Sequence, residues 1–328
     1  MRAQFLAFTF LAAAVGWALT ALRSLEAAAS STVRVAFLRI VPPPKVNLDA
    51  LEQGLLDLGY APGRDILIEY RYADGRDDEL RRLAADVVGR KVDIILAAGY
   101  EAIRAAKIAT GTIPIVMVVA GDPVGSGFVT SLARPGGNIT GNSIINPTLA
   151  PKRLEVLKQV LPNLSRVGTL LNKNNPSHQV EWRATLAAAK ALAIVVQPHE
   201  VRRPMDFEPA FAAMIAARAE AVVVLEDAVF GTERERLVTL AAKNHLPAIY
   251  GQRNSVDVGG FLSYGPNIND VYRNTARFVD KILRGTKPAD LPVEQPARFE
   301  LVINLKTAKA LGLTIPQTLL QRADELIQ

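Results

Sequence analysis

The sequence predicts an α/β chain of two doubly wound parallel-sheet lobes with a ligand cleft between them. Three observations carry this prediction. Short, near-continuously apolar runs alternate with amphipathic segments of ten or so residues, and each crossover must then return over a face of a parallel sheet. The same plan runs through the chain once before residue 145 and again after it. The 328 residues exceed one ordinary domain but let each of two lobes bury its own core.

In the first half, residues 33–40 (VRVAFLRI) read as a strand that ends at Pro42-Pro43-Pro44, where no ladder can continue. Asn47-Leu48-Asp49 offers a cap for a helix over 50–58, which Gly59 stops. Residues 66–72 alternate as a second strand. Asp77 caps an amphipathic helix to about Gly89, whose apolar face is Leu80, Leu83, Ala84, Val87 and Val88. A buried strand over 92–98 breaks at Gly99, and a short helix covers 101–109. After Pro114, residues 115–119 form an apolar run long enough for a strand buried on both faces and too short for a helix. That run stops at Ala120-Gly121-Asp122-Pro123, which sets the Asp122 carboxylate at the carboxyl end of a parallel strand.

The second half repeats the alternation. Helices are expected over 149–161, 177–192, 206–218 and from the capping-box pair Thr232 and Glu235 to about Asn244. Strands are expected over 166–171, 194–197, 221–225, 247–250 and 260–264. A helix over 269–284, a strand over 299–303 and a helix over 305–311 complete the chain.

Ligands of open α/β sheets bind outside the carboxyl ends of the strands, so the loops after those ends should line the cleft. They bring Asp122, Glu226 and Asp227 as acceptors, Asn172, Asn175 and Gln252 as amides, and Tyr100, Tyr250 and Tyr264 as rings with a hydroxyl. Such a mixture suits a small zwitterion with an apolar part: an ammonium needs a carboxylate, a carboxylate needs N–H donors, and a side chain needs a ring. Each residue also has a local alternative. Asp122 precedes proline as turn formers do, Asn172 and Asn175 could be turn and N-cap of the next helix, and Tyr264 could pack in a core. If Asp227 is purely a ligand contact, Asp227→Ala leaves the stability of the unliganded protein nearly unchanged.

Other chemistries find little support in the sequence. Apolar residues make up 49% of the chain and charged residues 21%, the balance of a soluble globular protein rather than a disordered one. The net charge of +6 is scattered, and no basic run is interleaved with aromatics, so no nucleic-acid partner is expected. The absence of cysteine excludes thiol nucleophiles, disulfides, zinc–thiolate sites and a lipid-modified cysteine. His178, His199 and His245 lack metal-ligand spacing, Gly125-Ser126-Gly127 is no nucleophile elbow, and no phosphate-binding glycine loop occurs. No cofactor, metal or catalytic residue is expected. At the amino end, Arg2 precedes an apolar segment over 5–22, and Leu25-Glu26-Ala27-Ala28-Ala29 has signal-peptidase spacing. A signal peptide over 1–29 and a periplasmic location follow. The alternative is a retained anchor, because the segment approaches the roughly 20 residues of a spanning helix.

The GDPVGSG turn at 121–127, LARPGGNITG at 132–141, LEQGLLDLGY at 51–60 and FELVINLKTAKALGLTIP at 299–316 are similar to a known family. They resemble the substrate-binding proteins of ABC importers, in the group that includes tryptophan- and phenylalanine-binding lipoproteins, and the resemblance covers nearly all of the chain after residue 32. It implies a type I periplasmic-binding-protein-like fold, with a first lobe of 33–144 plus 269–287 and a second of 145–268 plus 288–328. It implies a small-molecule solute, an amino acid or related organic compound, and a permease partner in the membrane. It also matches Asn172 and Asn175 to an asparagine-bearing loop that meets ligand. Tyr100-Glu101 departs from the family's small hydroxyl residue followed by proline, and Pro42-Pro43-Pro44 departs from its polar loop. The expected protein is a free, monomeric receptor without lipid anchor; a sensory subunit for a membrane kinase, or an enzyme on this architecture, are the alternatives.

Overall fold

The computed structural model describes residues 32–144 and 149–328, so the expected signal peptide over 1–29 lies outside the described residues. The first lobe opens with β1 (Val33–Arg39), α1 (Lys45–Asp57), β2 (Ile66–Tyr72) and α2 (Asp77–Gly89). It continues with β3 (Ile94–Ala98), α3 (Tyr100–Ala109), β4 (Ile115–Ala120) and β5 (Ile139–Ser143). The sheet is parallel throughout, in the order β2-β1-β3-β4-β5. Because side chains alternate across a strand, β1 sends Val35 and Phe37 into one apolar layer and Ala36 and Leu38 into the other. All four are buried, which is why the run carries no polar alternation.

The second lobe runs α4 (Leu149–Val160), β6 (Arg166–Leu171), α5 (Pro176–Ala191), β7 (Val195–Glu200), α6 (Phe207–Ala216) and β8 (Ala221–Val224). It goes on through α7 (Ala228–Thr232), α8 (Arg234–Lys243), β9 (Ala248–Tyr250), α9 (Arg253–Asp257) and β10 (Leu262–Pro266). The chain then crosses to the first lobe as α10 (Ile268–Leu283) and returns as β11 (Phe299–Asn304), α11 (Leu305–Ala310), α12 (Gln317–Leu320) and β12 (Glu325–Ile327). The second sheet has the order β12-β11-β10-β9-β8-β6-β7. It is parallel except between β10 and β11, which pair antiparallel with Pro266 opposite Phe299. The reason is the excursion: the chain leaves β10 at its carboxyl end and re-enters the lobe at that same end, so β11 must run the other way.

Several expected boundaries move. The helix expected over 50–58 begins at Lys45, directly after the φ-restricted Pro44. Asn47 is therefore not its cap; it is 2% exposed and donates to Asn269 Oδ1 at 2.8 Å. The helix expected from Thr232 to about Asn244 is α8, which starts at Arg234 with Glu233 as its N-cap; a separate short helix, α7, precedes it, capped by Asp227. The expected second-lobe assignment of 288–328 is corrected at its start. Leu291 and Val293 pack in the two apolar layers of the first sheet, and Val293 donates its N–H to the Leu132 carbonyl at 2.7 Å. Glu294 exchanges backbone hydrogen bonds with Gly141 and Ser143, so the return crossover lies between Glu294 and Phe299. Among the described residues, no helix is long and apolar enough to cross a membrane.

Candidate functional site

A cavity of about 120 Å³ lies between the lobes and is lined by the segments that follow β1, β3, β4, β8 and β9, together with parts of α4, α5 and α10. On this measure one water needs about 10–15 Å³, so the space suits a solute with on the order of ten non-hydrogen atoms. The two walls also touch directly beside it, where the Asp122 N–H donates to Ser177 Oγ at 2.9 Å.

The second-lobe wall is built around a buried arginine. Arg153, on α4, is 1% exposed; its Nε donates to the Tyr264 carbonyl at 2.9 Å, and its two terminal nitrogens each stand 3.8 Å from a carboxylate, of Glu181 and Glu226. Among the described residues its Nη1 has no hydrogen-bond partner. Room for this group comes from Gly251, after β9, since a Cβ there would overlap the Glu226 carboxylate and the guanidinium. Burial is the main cause that raises the Glu226 carboxyl to about 7, against the pull of Arg153. Burial likewise raises Glu181 above the usual carboxylate range.

Beside this group, the ends of β6 and β8 are pinned together by His178. The Asn172 N–H can only donate, so His178 Nδ1 accepts it at 2.8 Å and Nε2 donates to the Glu226 carbonyl at 2.8 Å. Asn172 and Asn175 then donate to Asp227 Oδ2 at 3.3 and 3.1 Å, while Asp227 Oδ1 caps α7 by accepting the Val229 N–H at 2.9 Å. Asn175 is itself the N-cap of α5. Among the described residues, Asp227 is thus held by neutral donors only, while it also lines the cavity.

The first-lobe wall carries Tyr100 and Glu101, at the start of α3, and Arg39, at the end of β1. The Tyr100 ring rests on Phe128 at 5.5 Å between centroids, with the Arg104 guanidinium 5.8 Å from its own centroid. Burial, and next the Asp227 charge from the other lobe, raise the Glu101 carboxyl to about 7. Arg39 lies near the buried Tyr272 hydroxyl and makes no ion pair or side-chain hydrogen bond among the described residues.

Of the seven residues expected from sequence, Tyr100, Asn175 and Asp227 line the cavity. Asn172 stands one step behind, orienting Asp227. Asp122 does not reach the cavity: its Oδ1 accepts the Gly125 N–H at 2.8 Å and closes its own turn. Tyr250 is 3% exposed in the second-lobe core, and its burial raises the phenol. Tyr264 packs against the core with its ring 6.3 Å from Phe299, and contributes only its carbonyl, which holds Arg153. Both tyrosines were expected to face the cleft; their rings pack instead into the apolar layers on opposite faces of the second sheet. Arg153, Glu181 and Ser177 were not expected at all. Arg153 and Glu181 lie within helices, beyond the loops that a rule about strand ends covers; Ser177 stands two residues past Asn175 at the start of α5, within its reach.

The family model for the ABC transporter substrate binding protein matches residues 35–327. The chain is 26% identical over 271 residues, 81% of its length and 78% of the relative's, to a tyrosine-binding protein of Clostridioides difficile strain R20291. Its fold is similar to that of a conserved domain protein from Vibrio cholerae, with a TM-score of 0.85, 28% identity, and coverage of 90% of this chain and 100% of that one. A domain from Streptococcus pneumoniae solved in complex with L-Trp gives the same TM-score of 0.85 at 25% identity, covering 90% of this chain and 100% of that one.

Proposed function

This chain belongs to the ABC transporter substrate-binding protein family, and from that premise we propose that it is the extracytoplasmic receptor of an importer. It captures an amino acid or related small organic solute between its lobes and presents the closed form to a membrane permease. The observation that carries this reading is a cavity walled by both lobes, with Asp227 and Glu101 available to a cation and Arg153 and Arg39 to an anion. A solute that touches both walls binds the closed form better than the open one, and that difference in affinity drives closure. Three or four charge-assisted hydrogen bonds, each about 1.5–3 kcal/mol net, together with packing on the Tyr100 ring, reach the roughly −8 kcal/mol of micromolar affinity. No chemical step is required of these residues, and the family is one of binding proteins.

The tyrosine-binding relative and the tryptophan complex make an aromatic amino acid the first candidate. Export through residues 1–29 as a signal peptide, without a lipid anchor, and a monomeric state complete the proposal. The test is a thermal-shift screen of the purified protein against amino acids, small organic acids, nucleobases and sugars, with native mass spectrometry of the sample as isolated. A ligand at about 100 times its Kd adds about 2.7 kcal/mol and moves Tm by several degrees. No shift from any class, together with no co-purifying small molecule, overturns the receptor reading.

A further inference from the structure

We infer that Glu101 of the first lobe and Asp227 of the second close on one cationic nitrogen of the solute, so that a protonated amine is the obligatory bridge between the lobes. The inference rests on the receptor reading above and adds the chemical class that the cleft accepts.

The argument starts from what surrounds the two carboxylates. The charged groups that act on Glu101 are Asp227 across the cleft, Asp77 from α2 and Arg104 from its own helix. Arg104 is committed elsewhere, donating to Asp77 Oδ2 at 2.7 Å, and Asp77 also takes Arg81. Asp227 accepts from two amides and a backbone N–H and makes no ion pair among the described residues. Closing the lobes therefore brings two unpaired carboxylates to one half-buried cavity, where water screens their repulsion poorly. A cation between them turns that repulsion into two attractions, one to each lobe.

The same cavity holds a group of opposite sign that is only loosely held, its terminal nitrogens 3.8 Å from Glu181 and Glu226. Arg153 is 1% exposed, and its Nη1 finds no hydrogen-bond acceptor among the described residues. A buried donor left unpaired is costly, and a solute's anionic group supplies what it lacks. The cavity is thus polarised, with its cation subsite at Glu101 and Asp227 and its anion subsite at Arg153, with Arg39 on the facing wall. Glu101 decides whether closure is coupled to the ligand's charge.

The experiment is calorimetric titration of wild type and Glu101→Gln with three matched probes: L-tryptophan, tryptamine, which lacks the carboxylate, and indole-3-propionate, which lacks the ammonium. Wild type should bind L-tryptophan, bind tryptamine more weakly, and refuse indole-3-propionate. Glu101→Gln should weaken L-tryptophan at least tenfold. It should also abolish the proton release expected when wild type binds near pH 7, because an ammonium requires Glu101 ionised and the free protein holds it partly protonated. Melting of the unliganded variant at or above wild type shows that the loss is not misfolding. If Glu101→Gln binds L-tryptophan as wild type does, or if indole-3-propionate binds wild type equally well, the clamp is overturned while the receptor reading stands. If wild type binds none of the three probes and no amino acid at all, both fall.

Discussion

Asp227 does two jobs with its two oxygens. Oδ1 holds the Val229 N–H and caps α7, and Oδ2 gathers the amides of Asn172 and Asn175. Read from sequence as a pure ligand contact, it should be removable at no cost to the empty protein; the structure reverses that expectation. Asp227→Ala strips a cap and leaves two amides without their acceptor, which costs about 1–3 kcal/mol. The unliganded Tm should fall by several degrees. Asp227→Asn keeps a capping oxygen and removes the charge, so its unliganded Tm should lie nearer wild type while the shift produced by an amino acid disappears. Differential scanning calorimetry of both variants, with and without L-tryptophan, separates the two jobs. An intact ligand-induced shift in Asp227→Asn would remove this carboxylate from the binding site.

At the scale of elements, β5 is where the first lobe is locked to its returning chain. Asn142 is 3% exposed; its amide lies 3.1 Å from Thr275 Oγ1, and its Oδ1 accepts from Asn274 at 2.9 Å. Asn274 donates in turn to Glu294 at 2.9 Å, so β5, α10 and the strand-like segment at Glu294 share one polar network. Gly141 permits the close pairing, with φ at +130° and no Cβ to strike the Met117 backbone. Asn142→Ala leaves the Asn274 amide and the Thr275 hydroxyl short of a buried partner, and should destabilise the protein by about 1–3 kcal/mol. The network lies outside the cavity, so the expected result is a lower Tm with affinity close to wild type. An affinity loss beyond about tenfold, or 1.4 kcal/mol, would show that the network also sets the closing equilibrium.

For the whole molecule, the buried carboxylates of the cleft set the pH dependence of stability. Glu101 and Glu226 are raised to about 7, and Glu181 is raised as well. A carboxyl whose folded pKa lies above its ordinary value favours the folded state when protonated. Its contribution is full below the ordinary range near 4.5 and is lost as pH rises through about 7. Surface carboxylates shifted the other way, such as Glu69 beside Arg34, lose their contribution only as pH falls below that range. The unliganded protein should therefore melt highest near pH 5 and progressively lower towards pH 8. Glu101→Gln should flatten that slope, and calorimetry across this range reads it directly. A Tm that is level or rising from pH 5 to pH 8 would show that these carboxylates are already paired.

The sequence by itself determined the alternation of strands and helices, the division into two lobes and the family. These depend on periodicity, on glycine and proline stops and on contiguous motifs, all of which are local. It also singled out Asn175 and Asp227, which line the cavity, because polar residues in the loop after a buried strand are a local signal. The tertiary structure alone decided the rest. β5, written ITGNS, has no apolar run to announce it and becomes a strand only because β4 and the Glu294 segment lie on either side. Tyr250 and Tyr264 lie within β9 and β10 rather than in the loops after them, and their rings pack into the core. Arg153 sits on a helix, far in the chain from Glu181, Glu226 and the Tyr264 carbonyl that hold it. Apposition of groups distant in sequence leaves no periodic trace, and the cleft's electrostatics are made of such appositions.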